Sequence, residues 1–362
     1  TPNISSGMIP VVYDYGKEAF VKADTSNWYN YNNKEWANIV LVSDTTRDKY
    51  NSALEGTQIL ESDVLAYYVW IPRYRYQIFY DGSNATSKQL INIKFESKNT
   101  SKSTGNTVGS YLTHPAFTFG DTELDGIWVG KFEITGDTTN PTIKPNVTNL
   151  GNLNISGLFE TSKKINYGTI RDTSMIKNSE WGAITYLTTS IYGQGLTEVR
   201  INNSSTYITG CAATKENGAS YNGCENAYNT PVGVLASTTG NISGIYDMNG
   251  GAWEYVMGVM EKSKGSNIPH ISSSGFTTLP ESKYYDIYAY GTSLNDFSRY
   301  HIGDAIIETK GWNDDYTNAI RTDWSWVQRG GRCANAKNAG IFAFWGDPGK
   351  GNPYYTSRAV LR

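Results

Sequence analysis

Gly244-Ile-Tyr-Asp-Met-Asn-Gly-Gly-Ala-Trp-Glu-Tyr255 is the stretch on which the reading of this chain turns. It sets two carboxylates, Asp247 and Glu254, around a glycine pair, and leaves the carbonyls of Gly250 and Ala252 free to turn inward. Carboxylate and carbonyl oxygens so spaced are the hard ligands that calcium prefers. The same carboxylates would serve a loop that only satisfies its own N–H groups, because buried polar groups need partners. Neither reading makes the loop catalytic, and Trp253 is expected in the core.

Working outward, Ile127 to Thr135 alternates with period two and predicts a strand with Trp128 and Gly130 on the face opposite Val129 and Lys131. Tyr67 to Ile78 alternates in the same way. Lys177 to Leu187 predicts a helix capped by Asn178 or Ser179, with Trp181, Ile184 and Leu187 forming an apolar stripe. Ser83 to Asn106 reads as polar loop. Near the start, Pro10–Tyr13, Ala19–Ala23 and Ala37–Val42 are β-type runs between turn clusters. They predict a small β-rich accessory region over 1–61, followed from about Ser62 by the main domain over 62–362. No internal repeat is found.

With 362 residues there is ample chain for a core, and with 18% charged residues and a net charge of −3 there is no basic stripe to neutralise phosphates. Nucleic acid is therefore not an expected partner. No apolar run approaches the roughly 18 residues that span a bilayer, and the opening Thr-Pro-Asn-Ile-Ser-Ser-Gly has neither a charged nor an apolar leader region. Any anchor or targeting segment is expected to have been processed, trimmed or never present. The 27 Tyr, 10 Trp and 36 Gly suit a loop-rich recognition surface, and equally a β-rich protein with many turns.

Cys211 and Cys224 bracket a loop of turn-forming residues and predict a disulfide, with Cys333 left over as an odd thiol. The alternative is three reduced cysteines in a cytosolic protein. Neither spacing resembles a zinc site, and no histidine lies nearby.

Four segments occur in order: Val69-Trp-Ile-Pro-Arg73, Asp125-Gly-Ile-Trp-Val-Gly-Lys-Phe-Glu-Ile-Thr135, Ser179-Glu-Trp181 and the opening string, followed by Arg329-Gly-Gly331 and Ser357-Arg358. This order resembles the formylglycine-generating-enzyme class of the C-type-lectin fold, from Ser62 to Arg362. Gly251 stands where that class usually has Asn, and Ser357 where it has Phe. The resemblance implies an α+β C-type-lectin-like domain. It also implies a structural calcium held by Asp247, Gly250, Ala252 and Glu254. Within the class, Arg329 to Phe344 looks most like the variable proteins that retroelements diversify in bacteria and their phages. That implies a non-enzymatic binder of protein or cell-surface ligands, carbohydrate among them, placed outside the cell on a bacterial surface or phage particle.

Two alternatives stand beside this reading, an enzyme of the formylglycine-generating or oxidase class and a structural phage-tail or cell-surface component. The resembled enzymes work with a pair of thiols, whereas only Cys333 lies in the corresponding region, with Arg332 but no base beside it. His114, His270 and His301 follow no ligand or triad spacing, and His114 reads as a loop or core residue. Trp312-Asn-Asp314 matches a triplet of sugar-binding lectins but lacks its partner loop.

The expected binding face spans about 324–356. Ile341, Phe342 and Phe344 are its core anchors. Trp324, Trp326, Trp345, Tyr354 and Tyr355 are its large contact groups, with Trp324 or Trp326 expected to be buried. Gln328, Arg332, Cys333, Asn335, Lys337, Asp347, Pro348 and Asn352 complete it.

Overall fold

The computed structural model describes residues 1–80, 87–216, 218–261 and 271–362. The chain is mostly β with few helices. Seven antiparallel strands form the main sheet. Their order is Thr173–Met175, Ala359–Leu361, Gly126–Gly130, Val64–Pro72, Asn38–Val42, Ile9–Asp14 and Ala19–Lys22. The boundary expected near Ser62 does not divide it. Asn38–Val42 pairs along Val64–Val69, and one hydrophobic core runs from Met8 to Leu361, so the strands of 1–61 extend the sheet of 62–362.

The alternating run expected over Tyr67 to Ile78 is cut at Arg73 into Val64–Pro72 and Tyr74–Gln77. Pro72 has no N–H to continue a ladder. Arg73 turns its guanidinium inward to Glu96 (2.9 Å) and Glu123 (2.6 Å). Ile127 to Thr135 is likewise shorter in the sheet, which it leaves after Gly130. Lys131 then buries its amine against three oxygens, Asn38 Oδ1 (2.8 Å), Ile242 O (2.6 Å) and Gly244 O (2.8 Å). The stretch expected as loop contains the strand Asn92–Phe95, paired with Tyr74–Gln77. Positions 83–86 of that expectation lie outside the described residues, as does His270.

The predicted helix spans Asn178–Thr188, with Lys177 at its N-cap and Glu180 accepting from the Lys177 N–H at 2.8 Å. It carries no solvent face, because every residue in it is buried. Gly182 lies where a Cβ would come within 1.9 Å of Gly303 O, so that face of the helix tolerates no side chain.

A second sheet positions the candidate site. Its order is Asp286–Tyr288, Trp253–Met260, Trp326–Gly330 and Gly340–Asp347, with Tyr355–Thr356 running parallel beside the start of Trp253–Met260. Successive side chains of these strands point to opposite faces. Val256, Met260, Val327, Phe342 and Phe344 enter the main core. Trp253, Tyr255, Met257, Val259, Trp326 and Ala343 enter a smaller one closed by Ile155, Leu158 and Phe159 of the helix Ile155–Ser162.

Candidate ligand-binding face

The opening string acts as a junction between the two sheets. Tyr246 N–H donates to Lys131 O, Gly250 N–H to Gly330 O and Trp253 N–H to Tyr354 O, while Gly251 O accepts from Cys333 N–H. Gly250 and Gly251 have φ of +81° and +66°, and a Cβ on Gly250 would meet Asn202 O at 2.4 Å. Only glycine makes that approach without strain.

Glu254 is fully buried and is spent on Arg358, Oε1 to Nη2 at 2.5 Å and Oε2 to Nε at 3.1 Å. Asp247 accepts from Asn202 Nδ2 at 2.8 Å and from Gly210 N–H at 2.8 Å. A third buried carboxylate, Glu133, accepts from Ala252 N–H at 3.0 Å and Asn149 Nδ2 at 2.6 Å. Burial, then repulsion from Asp247 and Glu254, pushes the Glu133 pKa well up. Asp247, Gly250, Ala252 and Glu254 therefore do not fit a calcium ion as they stand. A guanidinium already occupies the cation position facing Glu254, and N–H donors take the Asp247 oxygens. Among the described residues no group of carboxylate, histidine or cysteine side chains is arranged to hold a metal.

Cys211 and Cys224 are disulfide-bonded, with Cα atoms 5.5 Å apart, and Cys333 is free and buried. Burial pushes the Cys333 thiol pKa up, which leaves it a poor nucleophile. His114 is a core residue that accepts from Ala116 N–H through Nδ1 and faces Gly303 O through Nε2 at 2.9 Å. Burial lowers its pKa to about 3. The Trp312–Asp314 triplet is also structural. Trp312 packs edge-on against Phe342, and Asn313 Oδ1 accepts from Lys88 at 2.6 Å.

Ile341, Phe342 and Phe344 are buried in the main core. The other residues expected at the face divide. Trp326, Gln328, Cys333, Asp347 and Tyr355 are buried and so leave the expected contact surface. Trp326 stacks on Phe276 beneath Gly349. Asp347 collects the hydroxyls of Tyr255 and Tyr355 and the Gly349 N–H. Gln328 lies in an inner strand between Tyr255 and Trp345. Period-two alternation from Trp326 to Asp347 carries no mark of the 348–354 segment that folds over that side of the sheet.

Trp324, Arg332, Asn335, Trp345, Pro348, Asn352 and Tyr354 remain half-buried, and Lys337 is exposed. Trp345 lies between two parallel neighbours, Tyr316 (4.8 Å, 17°) and Trp324 (5.8 Å, 27°), and meets Trp253 edge-on at 5.8 Å. Arg321 caps Trp324 at 4.7 Å, and Arg332 sits over Tyr354 at 4.2 Å. Tyr316 and Arg321 fall just before 324–356. They arrive because Tyr316 O accepts from Phe344 N–H, and because Arg321 and Trp324 close a tight turn. The result is a partly solvent-facing aromatic stack of Tyr316, Trp345 and Trp324 with the Arg321 guanidinium at its Trp324 end, and a separate Arg332–Tyr354 pair.

No family model and no curated protein matches the chain. Among solved structures it is similar over its whole length to the P3c and I1 variants of the Major Tropism Determinant. Each is 12% identical and covered over 73% of its own length, with TM-scores of 0.34 and 0.33.

Proposed function

We propose that this chain is a non-enzymatic recognition protein of the receptor-binding or adhesin type on a C-type-lectin-like scaffold. It engages a protein or cell-surface ligand through the row around Tyr316, Trp324, Trp345 and Tyr354. The observation that carries this is the half-buried Tyr316–Trp345–Trp324 stack with Arg321 over Trp324, together with Arg332 over Tyr354. Aromatic and arginine side chains held rigid and partly wet dominate binding energy at interfaces. The ring faces also suit the C–H face of a sugar, so surface carbohydrate belongs to the same proposal. An extracellular or particle-borne setting is supported by the Cys211–Cys224 disulfide, since such bonds persist where the medium is oxidising.

The test is binding of labelled protein to a panel of bacterial cells by flow cytometry, with the double variant Trp324→Ala/Tyr354→Ala beside the parent. The expected result is binding by the parent to a subset of strains, and a loss of about tenfold or more in the variant, as for removal of two hot-spot residues. Parent and variant that stain every strain alike would sink the assignment of the face.

A further inference from the structure

A second concave site lies far along the chain from this face, against the edge formed by Ile9–Asp14 and Ala19–Lys22. It is a cavity of about 330 Å³ whose walls include Tyr13, Tyr15, Phe20, Trp28 and Trp36. Its volume is in the range that takes a small molecule. Tyr13 meets Tyr15 at 5.2 Å and 76° and Phe20 at 5.2 Å and 78°, so adjacent rings stand at right angles to one another. Tyr15 is 67% exposed and marks the mouth.

The polar groups of the inner wall are already spent. Asn38 donates to Trp36 O and Ser243 O and accepts from Lys131. Asn241 donates to Lys34 O and accepts from the Ser243 N–H and hydroxyl. Ser243 Oγ accepts from Trp36 N–H. The inner wall has little left to read the hydroxyls of a sugar, and the remaining amides, Asn27 and Asn33, are exposed. Among the described residues Glu35 is the only charged one lining the cavity, and its carboxylate makes no hydrogen bond or ion pair with any of them. It lies near enough to Tyr15 to add, after burial and Tyr13, to the rise in that phenol's pKa. Lys131 already sets its amine 5.6 Å from the Phe20 ring, so that side of the cavity has its amine partner. The seat for positive charge is thus toward Tyr13, Tyr15 and Glu35.

We propose that this cavity binds a small quaternary ammonium ligand, its methyl groups against the aromatic walls and its charge facing Glu35. Ring faces attract such a cation without asking it to shed strongly held water, and an unpaired carboxylate supplies the matching charge. The site is separate from the aromatic row of the proposed ligand face, so either assignment stands if the other falls.

The test follows the methyl proton resonance of choline during titration with the full chain, with the neutral isostere 3,3-dimethyl-1-butanol as comparison. Choline is expected to bind saturably and the isostere about tenfold more weakly, the ratio that about 1.4 kcal/mol of cation recognition gives. Glu35→Gln and Tyr15→Ala alter exposed side chains and should each weaken choline binding by a similar factor with unchanged melting temperature. Equal binding of the isostere would make the cavity merely apolar and overturn the proposal. So would absence of choline binding, or retention of full affinity in both variants.

Discussion

Arg358 shows how one side chain ties the molecule together. Its guanidinium holds both oxygens of Glu254 and the carbonyls of Gly130 and Tyr246, with both side chains fully buried. Arg358→Ala would strand a buried carboxylate, and removal of one partner of such a pair costs about 3–5 kcal/mol. Equilibrium denaturation should show a loss of that order, and a change under about 1 kcal/mol would mean that solvent reaches Glu254 in the folded state. Asp304 gives a pH signature. Burial, then repulsion from Asp286, raises its pKa to about 8, so the folded state holds a proton that the unfolded chain releases near pH 4. Its stabilising effect is complete in acid and fades as pH rises through about 8. His114, neutral when folded, acts in the opposite sense, but only below about pH 6.5, where the unfolded imidazole takes up a proton. From pH 6.5 to 8 stability should therefore fall with pH, by up to about 1.4 kcal/mol per unit for this one group. Burial raises the pKa of Glu133, Glu198 and Glu254 as well, and their contributions have the same sign, so Asp304→Asn should lower the slope by this one group's share, and a slope unchanged in the variant would assign it elsewhere.

At the scale of elements, Trp326–Gly330 and Gly340–Asp347 were expected to carry the binding face because Arg329 to Phe344 looks like the variable proteins that retroelements diversify. Which of those residues reach solvent was not legible. Alternation told that Phe342 and Phe344 share a face, and both are in the main core. It could not tell that the opposite face is covered too, because one covering piece, the helix Ile155–Ser162, is distant in the chain, and the other, the 348–354 segment that follows the strand, shows no period that tells it folds back. Tyr354 and Tyr355 illustrate the consequence. Tyr355 is buried with its hydroxyl on Asp347, whereas Tyr354 is half-buried beneath Arg332. Tyr355→Ala should lose about 3 kcal/mol or more in a thermal or denaturant melt, as buried aromatic truncations do, and Tyr354→Ala under about 1 kcal/mol. Equal losses would show that the two rings are not differently placed.

For the whole molecule, the opening string was informative because its glycines and carboxylates carry backbone and charge demands that few folds meet. The region before Ser62 was expected to be an accessory because its strands are short and punctuated by turns, and sequence pattern is silent on which sheet a strand joins. Asn38–Val42 is buried along its whole length against Val64–Val69, so removing residues 1–61 strips the cover from an inner strand. A chain of 62–362 should fail to give a cooperative melt or a dispersed amide spectrum. A well-folded fragment would restore the boundary.

The alternating allegiance of Gly340–Asp347 also limits how this surface can change through descent. Phe342 and Phe344 belong to one core, while Ala343 and Trp345 belong to the other side. A single inserted or deleted codon would shift the strand by one residue, driving the aromatic pair toward the smaller core and the tryptophan toward the main one. Any lineage that explores new specificities here is thus confined to replacing letters at constant length, and a laboratory library should be written under the same restriction.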